Sequence, residues 1–175
     1  MRSRGFGRLV RELRELREAV AAYVASAAQA VRRQGSIAGM LQVSIETNRF
    51  AAPYYGNAVT VRLPFPTAST PELIRCARQG LERIFRAGCA YNRAGVLLTD
   101  ITPQEIQQTS LLTPEFYDAR KIALMELMDR MNARWGRGRV RFAAEGMKQA
   151  WLVRQSRRSQ RFTTRWGELP VIRAS

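Results

Sequence analysis

The sequence contains no histidine, and only two of its 29 basic residues are lysine, Lys121 and Lys148. The missing imidazole excludes His-based catalytic triads, His-ligated metals and the commonest general base. Cysteine is scarce too. Cys76 and Cys89 have neither CxxC spacing nor a histidine to join, so they predict reduced, structural thiols of a cytosolic protein and no zinc. No glycine-rich loop has the spacing of a P-loop or a dinucleotide fold. No apolar run approaches the ~20 residues of a membrane span, and no secretory signal is visible. The longest such stretch, residues 19–30, is alanine-rich and followed by Arg32-Arg33. The expectation is a cytoplasmic protein without a membrane contact. The 14 acidic residues are scattered, and no carboxylate cluster stands ready to hold two catalytic metals.

The 175 residues are 46% apolar, enough for a real core, and carry a net charge of +15. So basic a surface points to a polyanion, most commonly nucleic acid. The arginine bias reads either as codon usage of a GC-rich genome or as selection for a guanidinium that grips phosphate through two hydrogen bonds. The two readings are compatible.

Hydropathy patterning divides the chain. Residues 3–8 read as a short strand. Leu13, Leu16, Val20, Tyr23, Val24, Ala27 and Val31 draw one face of a helix over 10–34. Glu12, Glu15 and Glu18 lie on its solvated side as partners for Arg11, Arg14 and Arg17. Alternation predicts strands at 40–46 and 59–63, the second closed by Pro64 and Pro66. Thr70-Pro71-Glu72 starts a second helix, with threonine as cap, and Gly88 ends it. Residues 93–98 form a last apolar strand. The order βαββαβ predicts an α+β, ferredoxin-like split βαβ domain: a four-stranded sheet with two helices on one face and the other face open to a ligand.

Residues 1–100 therefore read as one domain and 101–114 as a polar linker. Residues 115–175 read as a small, helix-rich second unit. In that unit Ile122, Met125, Met128 and Met131 mark a core-facing helix stripe running to about Arg134. Residues 139–143 read as a short strand.

Several motifs carry a family resemblance. They are Tyr54-Tyr55-Gly56-Asn57, then Tyr91 with Arg93-Ala94-Gly95-Val96-Leu97-Leu98, and Arg137-Gly138 with Phe142-Ala143-Ala144-Glu145-Gly146. The last is Arg161-Phe162-Thr163-Thr164-Arg165-Trp166 with Glu168-Leu169-Pro170. In this order and spacing the chain resembles the C-terminal, non-catalytic part of UmuC-type polymerases of the Y family, the translesion DNA polymerases of the SOS response. The resemblance implies a DNA-binding little-finger domain at 1–100, followed by the family's terminal domain of unknown function. Family members carry finger, palm and thumb domains upstream; this chain has none of these, so no catalytic residue and no cofactor are expected.

The resemblance also suggests which residues act. Ser3, Arg4, Gly5, Gly7 and Arg8 fit a first strand that grips DNA phosphates, glycine allowing close approach; a basic terminus without that role is the alternative. Arg62 points off the core side, and Arg93 opens the last strand. Such contacts read little base sequence, as a polymerase that accepts any template requires. The Tyr54-Tyr55 pair reads more simply as packing under its loop. Gln108-Thr109-Ser110-Leu111-Leu112 falls where the family carries a sliding-clamp-binding peptide. Leu112 replaces the usual phenylalanine and Thr109 a common leucine, which predicts weaker binding. In the tail, Arg154, Arg157, Arg158, Arg161 and Arg165 interleave with Trp151, Phe162 and Trp166, a composition suited to single-stranded DNA. The competing reading, preferred for Trp151, is a small core of the terminal unit. UmuD′ and RecA are further partners that the resemblance implies.

Overall fold

The computed structural model describes residues 1–104, 119–153 and 167. Strand β1 (Arg2–Val10) leads into helix α1 (Leu13–Arg33), strands β2 (Ser36–Thr47) and β3 (Gly56–Thr67), helix α2 (Thr70–Ile84) and strand β4 (Tyr91–Pro103). Helix α3 (Ala119–Trp135) and a 3₁₀ turn at Ala143–Glu145 follow. The expected α+β architecture is present. The sheet runs β1-β4-β2-β3, and every neighbouring pair is antiparallel. It follows that β1 and β2 point the same way with β4 between them, and β3 and β4 likewise with β2 between. Each βαβ crossover is split by a strand of the other.

The core lies between the sheet and the two helices. Leu41, Val43 and Ile45 of β2 and Ala94, Val96 and Leu98 of β4 meet Leu16, Val20 and Val24 of α1 and Leu73, Ala77 and Leu81 of α2. Each fully buried leucine contributes about 1.5–3 kcal/mol. The alternation that marks β2 in the sequence is the same alternation that puts Leu41, Val43 and Ile45 inside.

Several elements differ from the sequence reading, each for a physical reason. Strand β3 does not stop at Pro64 but continues through Pro66. It is an edge strand, where a residue without an N–H is tolerated. Strand β4 extends through Ile101 to Pro103, paired with Ser36, Ile37 and Ala38. Helix α2 is preceded by Ser69, not capped by Thr70, and it ends at Ile84 before Phe85 rather than at Gly88. The Thr70 hydroxyl instead accepts a hydrogen bond from Arg32 at 2.9 Å. Residues 139–143 form no strand. The Asn132 side chain takes both backbone groups of Val140, accepting from its N–H at 3.0 Å and donating to its carbonyl at 2.9 Å.

The acids of α1 also serve other elements than their own helix. Glu15 pairs with Arg8 of β1, and Arg17 reaches Glu82 of α2 at 2.5 Å. The Glu18 carboxylate lies against Gly146.

The largest correction concerns Trp151. It belongs to the sheet–helix core rather than to a separate terminal one. Its ring meets Tyr23 edge-on at 5.6 Å and Phe6 at 6.2 Å, and its carbonyl accepts from Gly7 N–H at 2.9 Å. A side chain on Gly7 would strike the Leu152 carbonyl oxygen at 2.7 Å, so the glycine admits the chain's own returning segment. Met125 alone of the α3 stripe is fully buried, while Leu124 and Leu127 are exposed. Replacing Trp151 by alanine removes an aromatic wedge between β1 and α1. The expected loss of stability is about 3–5 kcal/mol, read as a lower midpoint in denaturant unfolding.

Candidate nucleic-acid interface

Among the described residues no helix covers the second face of the sheet, and strand register determines what that face displays. Opposed residues share a face. One row across the sheet is therefore Ser3, Gly95, Ser44 and Ala58, and the next is Gly5, Arg93, Glu46 and Gly56. Leu97, Gln42 and Thr60 make a third, and Thr99, Met40 and Arg62 a fourth. The first row holds only small side chains. At Gly95 a Cβ would lie 2.8 Å from Ser44 Oγ and 3.1 Å from Ser3 Cβ, so the row needs glycine there. The result is a shallow, polar furrow that a sugar–phosphate strand can approach closely.

Of the residues singled out in the sequence, Ser3, Gly5, Arg62 and Arg93 come together on this face. Arg4 does not. It stands opposite Ala94, on the helix side, near Tyr23. Arg8 reaches Glu15 of α1, and Gly7 faces Leu152. Residues Gln108, Leu111, Leu112, Arg154, Arg157, Arg158, Arg161, Arg165 and Trp166 lie outside the described residues.

Glu46 was not among the sequence candidates, yet it sets the electrostatics of the face. Arg93 Nε lies 3.1 Å from its carboxylate and the Arg49 guanidinium 3.8 Å. Arg62 is exposed and enters no ion pair among the described residues. The alternation of β2 placed Glu46 on the polar side; only the register puts it beside Arg93.

The Tyr54-Tyr55 turn anchors the far end of the sheet. The Tyr55 hydroxyl donates to the Ile84 carbonyl at 2.5 Å. Its ring meets Tyr91 at 6.2 Å and carries the Arg86 guanidinium at 4.5 Å. The packing role expected for the pair falls to Tyr55, since Tyr54 is half exposed. Burial pushes the Tyr91 hydroxyl up from its ordinary value, and that hydroxyl is held by both backbone groups of Arg86.

Helix α3 is fastened to this domain by charge. Asp129 accepts from Arg32 Nε at 2.7 Å, from a second guanidinium nitrogen at 3.0 Å and from Gln29 at 3.3 Å. Arg32 also donates to the Ala68 carbonyl at 2.7 Å. Among the described residues no group of acids or thiols could hold a metal ion, and no helix is long and apolar enough to cross a membrane.

Residues 1–111 match the C-terminal domain of the impB/mucB/samB family. The chain belongs to that family. Residues 123–172 match a second family domain, one of unknown function. The chain is similar to UmuC of Salmonella typhimurium, 37% identical over 95% of this chain and 40% of that protein. It is also similar to ImpB of Salmonella typhimurium, 32% identical over 98% of this chain and 41% of the relative. MucB of Escherichia coli is 32% identical over 97% and 40%. The chain thus spans about 40% of the length of these relatives and corresponds to the C-terminal part of a UmuC-like protein. Among the described residues, Trp151 of the second matched region packs in the core of the first, and Arg32 and Asp129 form an ion pair between the two regions.

The seam between those regions contains a buried acid, Glu145. Burial raises its carboxyl above the ordinary value, against smaller opposing effects of the Phe142 N–H and Arg141. The folded state therefore holds this proton more tightly than the unfolded state. Stability from Glu145 is complete at acid pH and falls as pH rises from the ordinary carboxylate range through the raised value. Glu145→Gln, which keeps an acceptor for the Phe142 N–H, is expected to melt higher than the unsubstituted chain at neutral pH. The difference should vanish at acid pH. Melting curves across that range check the sign.

Proposed function

We propose that the chain is the non-catalytic DNA-holding portion of a UmuC-like translesion polymerase, working in the cytoplasm on primer-template DNA with little sequence preference. The observation that carries this reading is the open sheet face, a furrow of small residues rimmed by Arg62 and Arg93. Strand backbone and arginines meeting phosphates supply affinity without base readout, and the net charge of +15 supports it. Arg4 and Arg8, on the opposite side of β1, are not part of this contact surface.

The test is DNA binding by the purified chain as a function of salt. Each phosphate contact contributes about −0.9 to the log–log slope on duplex DNA. Arg62→Ala should make the slope shallower by about that amount, and Glu46→Gln, which releases Arg93 and Arg49, should steepen it. Gln42→Glu adds a charge to the furrow at constant shape and should weaken binding. Unchanged slopes in all three variants would place the DNA elsewhere.

Clamp recruitment is the second part of the proposal and rests on the position of Gln108, Leu111 and Leu112 after β4. If these leucines enter a pocket on the bacterial sliding clamp, changing both to alanine costs most of the affinity, at about 1.5–3 kcal/mol per buried leucine. DNA binding should remain, because no charge changes. Calorimetry against the clamp, with melting curves alongside, checks both points.

A second reading is favoured by one observation on α3. Leu124, Leu127 and Trp135 are 49%, 46% and 54% exposed, and they follow helical spacing along one side of α3. An apolar stripe of this kind fits a protein partner, and UmuD′ or RecA is the partner that the family resemblance suggests. In this reading the chain holds the partner and touches DNA little, and the salt titration above separates the two.

A further inference from the structure

A cavity of about 500 Å³ lies on the helix side of β1, between α1, α3 and the loop that follows α3. Its size falls in the usual range of small-ligand sites, about 300–1,000 Å³. It is separate from the open sheet face, since Arg2 and Arg4 stand opposite the core-facing residues Val96 and Ala94.

Five arginines line it, against two carboxylates. One of each is already committed, because Arg32 and Asp129 bind one another. Arg2, Arg4 and Arg137 remain, with no ion pair among the described residues, and so does Arg141, which acts on the Glu145 carboxyl from beyond ion-pair distance. The other acid, Glu145, has its carboxylate held by the Phe142 N–H at 3.0 Å. Trp151, only 2% exposed, is among the lining residues, with its indole Nε1 buried out of reach of the cavity. Tyr23 lines the same wall. Its hydroxyl is pushed up to about 12 by burial, with Arg4 acting the other way, so it stays protonated and able to donate.

We propose that this cavity binds a phosphate monoester through Arg2, Arg4, Arg137, Arg141 and the Tyr23 hydroxyl. A phosphate offers three strong acceptor oxygens and close to two negative charges. A single carboxylate has only two oxygens and leaves this donor set unsatisfied. Guanidinium forks pair with phosphate bidentately. Each matched region contributes to the pocket: Arg2, Arg4 and Tyr23 from the first, Arg137, Arg141 and Trp151 from the second. A free nucleotide carries such a monoester, whereas a phosphate within a DNA strand is a diester with two free oxygens and one charge and does not match the donor set. The proposal does not depend on DNA contact at the sheet face.

The test uses the full chain labelled with nitrogen-15, watching the indole N–H signals. Trp151→Phe assigns the Trp151 signal. Three probes are titrated: inorganic phosphate, thymidine 5′-monophosphate, and a short oligothymidylate without terminal phosphates. A saturable shift of the Trp151 signal is expected. Its appearance with phosphate or the mononucleotide supports the proposal, and its appearance with the oligonucleotide alone overturns it. The double variant Arg4→Gln, Arg141→Gln should lower the affinity at least about tenfold, the scale of one lost charge-assisted hydrogen bond. Arg62→Ala should leave it unchanged, so failure here and failure of the sheet-face reading are distinguishable. No shift with any of the three probes overturns the proposal, as does wild-type affinity in the double variant. Should that variant fail to fold, the wild-type titration decides alone.

Discussion

Everything in this structure depends on β4 pairing on both sides. It is the last strand in sequence, yet it inserts between β1 and β2 and is antiparallel to each. Until it does, β1 has no partner in the sheet and Ala94, Val96 and Leu98 have no core to enter. Once in place, its register assigns every residue of the sheet to a face. A slip of one residue would move Arg93 and Gly95 inward and Ala94 and Val96 to solvent, which burial forbids.

The same pairing divides the arginines into two populations. Arg62 and Arg93 stand on the open face, while Arg2 and Arg4 stand on the helix side of β1. A chain with +15 net charge thus presents two chemically different basic surfaces. The first is flat, and Glu46 offsets part of its charge. The second is concave and has Tyr23 and Trp151 in its lining.

The region after α3 is part of the core rather than an appendage. Gly7 leaves room for Leu152, Trp151 closes the space between Phe6 and Tyr23, and Asp129 ties α3 to Arg32. Arg32 in turn spans three elements, since it also binds Ala68 and Thr70 ahead of and within α2. These attachments hold both walls of the helix-side cavity in place.

The sequence by itself determined the order of the first six elements, the core faces of α1 and β2 and the family, because side-chain periodicity and short motifs are local properties. Leu41, Val43 and Ile45 could be assigned inward from alternation alone, and α1 from its spacings of three and four. The ends of β2, β3 and β4 were not legible, because an edge position decides whether Pro64 and Pro66 interrupt a strand. The same holds for residues 139–143, where the backbone groups of Val140 are taken by the Asn132 side chain eight positions away. Most of the candidate site was decided only in three dimensions. Alternation along β1 puts Ser3 and Gly5 on one side and Arg4 on the other, but which side faces the helices follows from the pairing with β4. Glu46 beside Arg93, Glu15 with Arg8, and Trp151 against Tyr23 are contacts between distant parts of the chain. No local pattern encodes such a meeting, because it is set by the register and packing of elements that fold together.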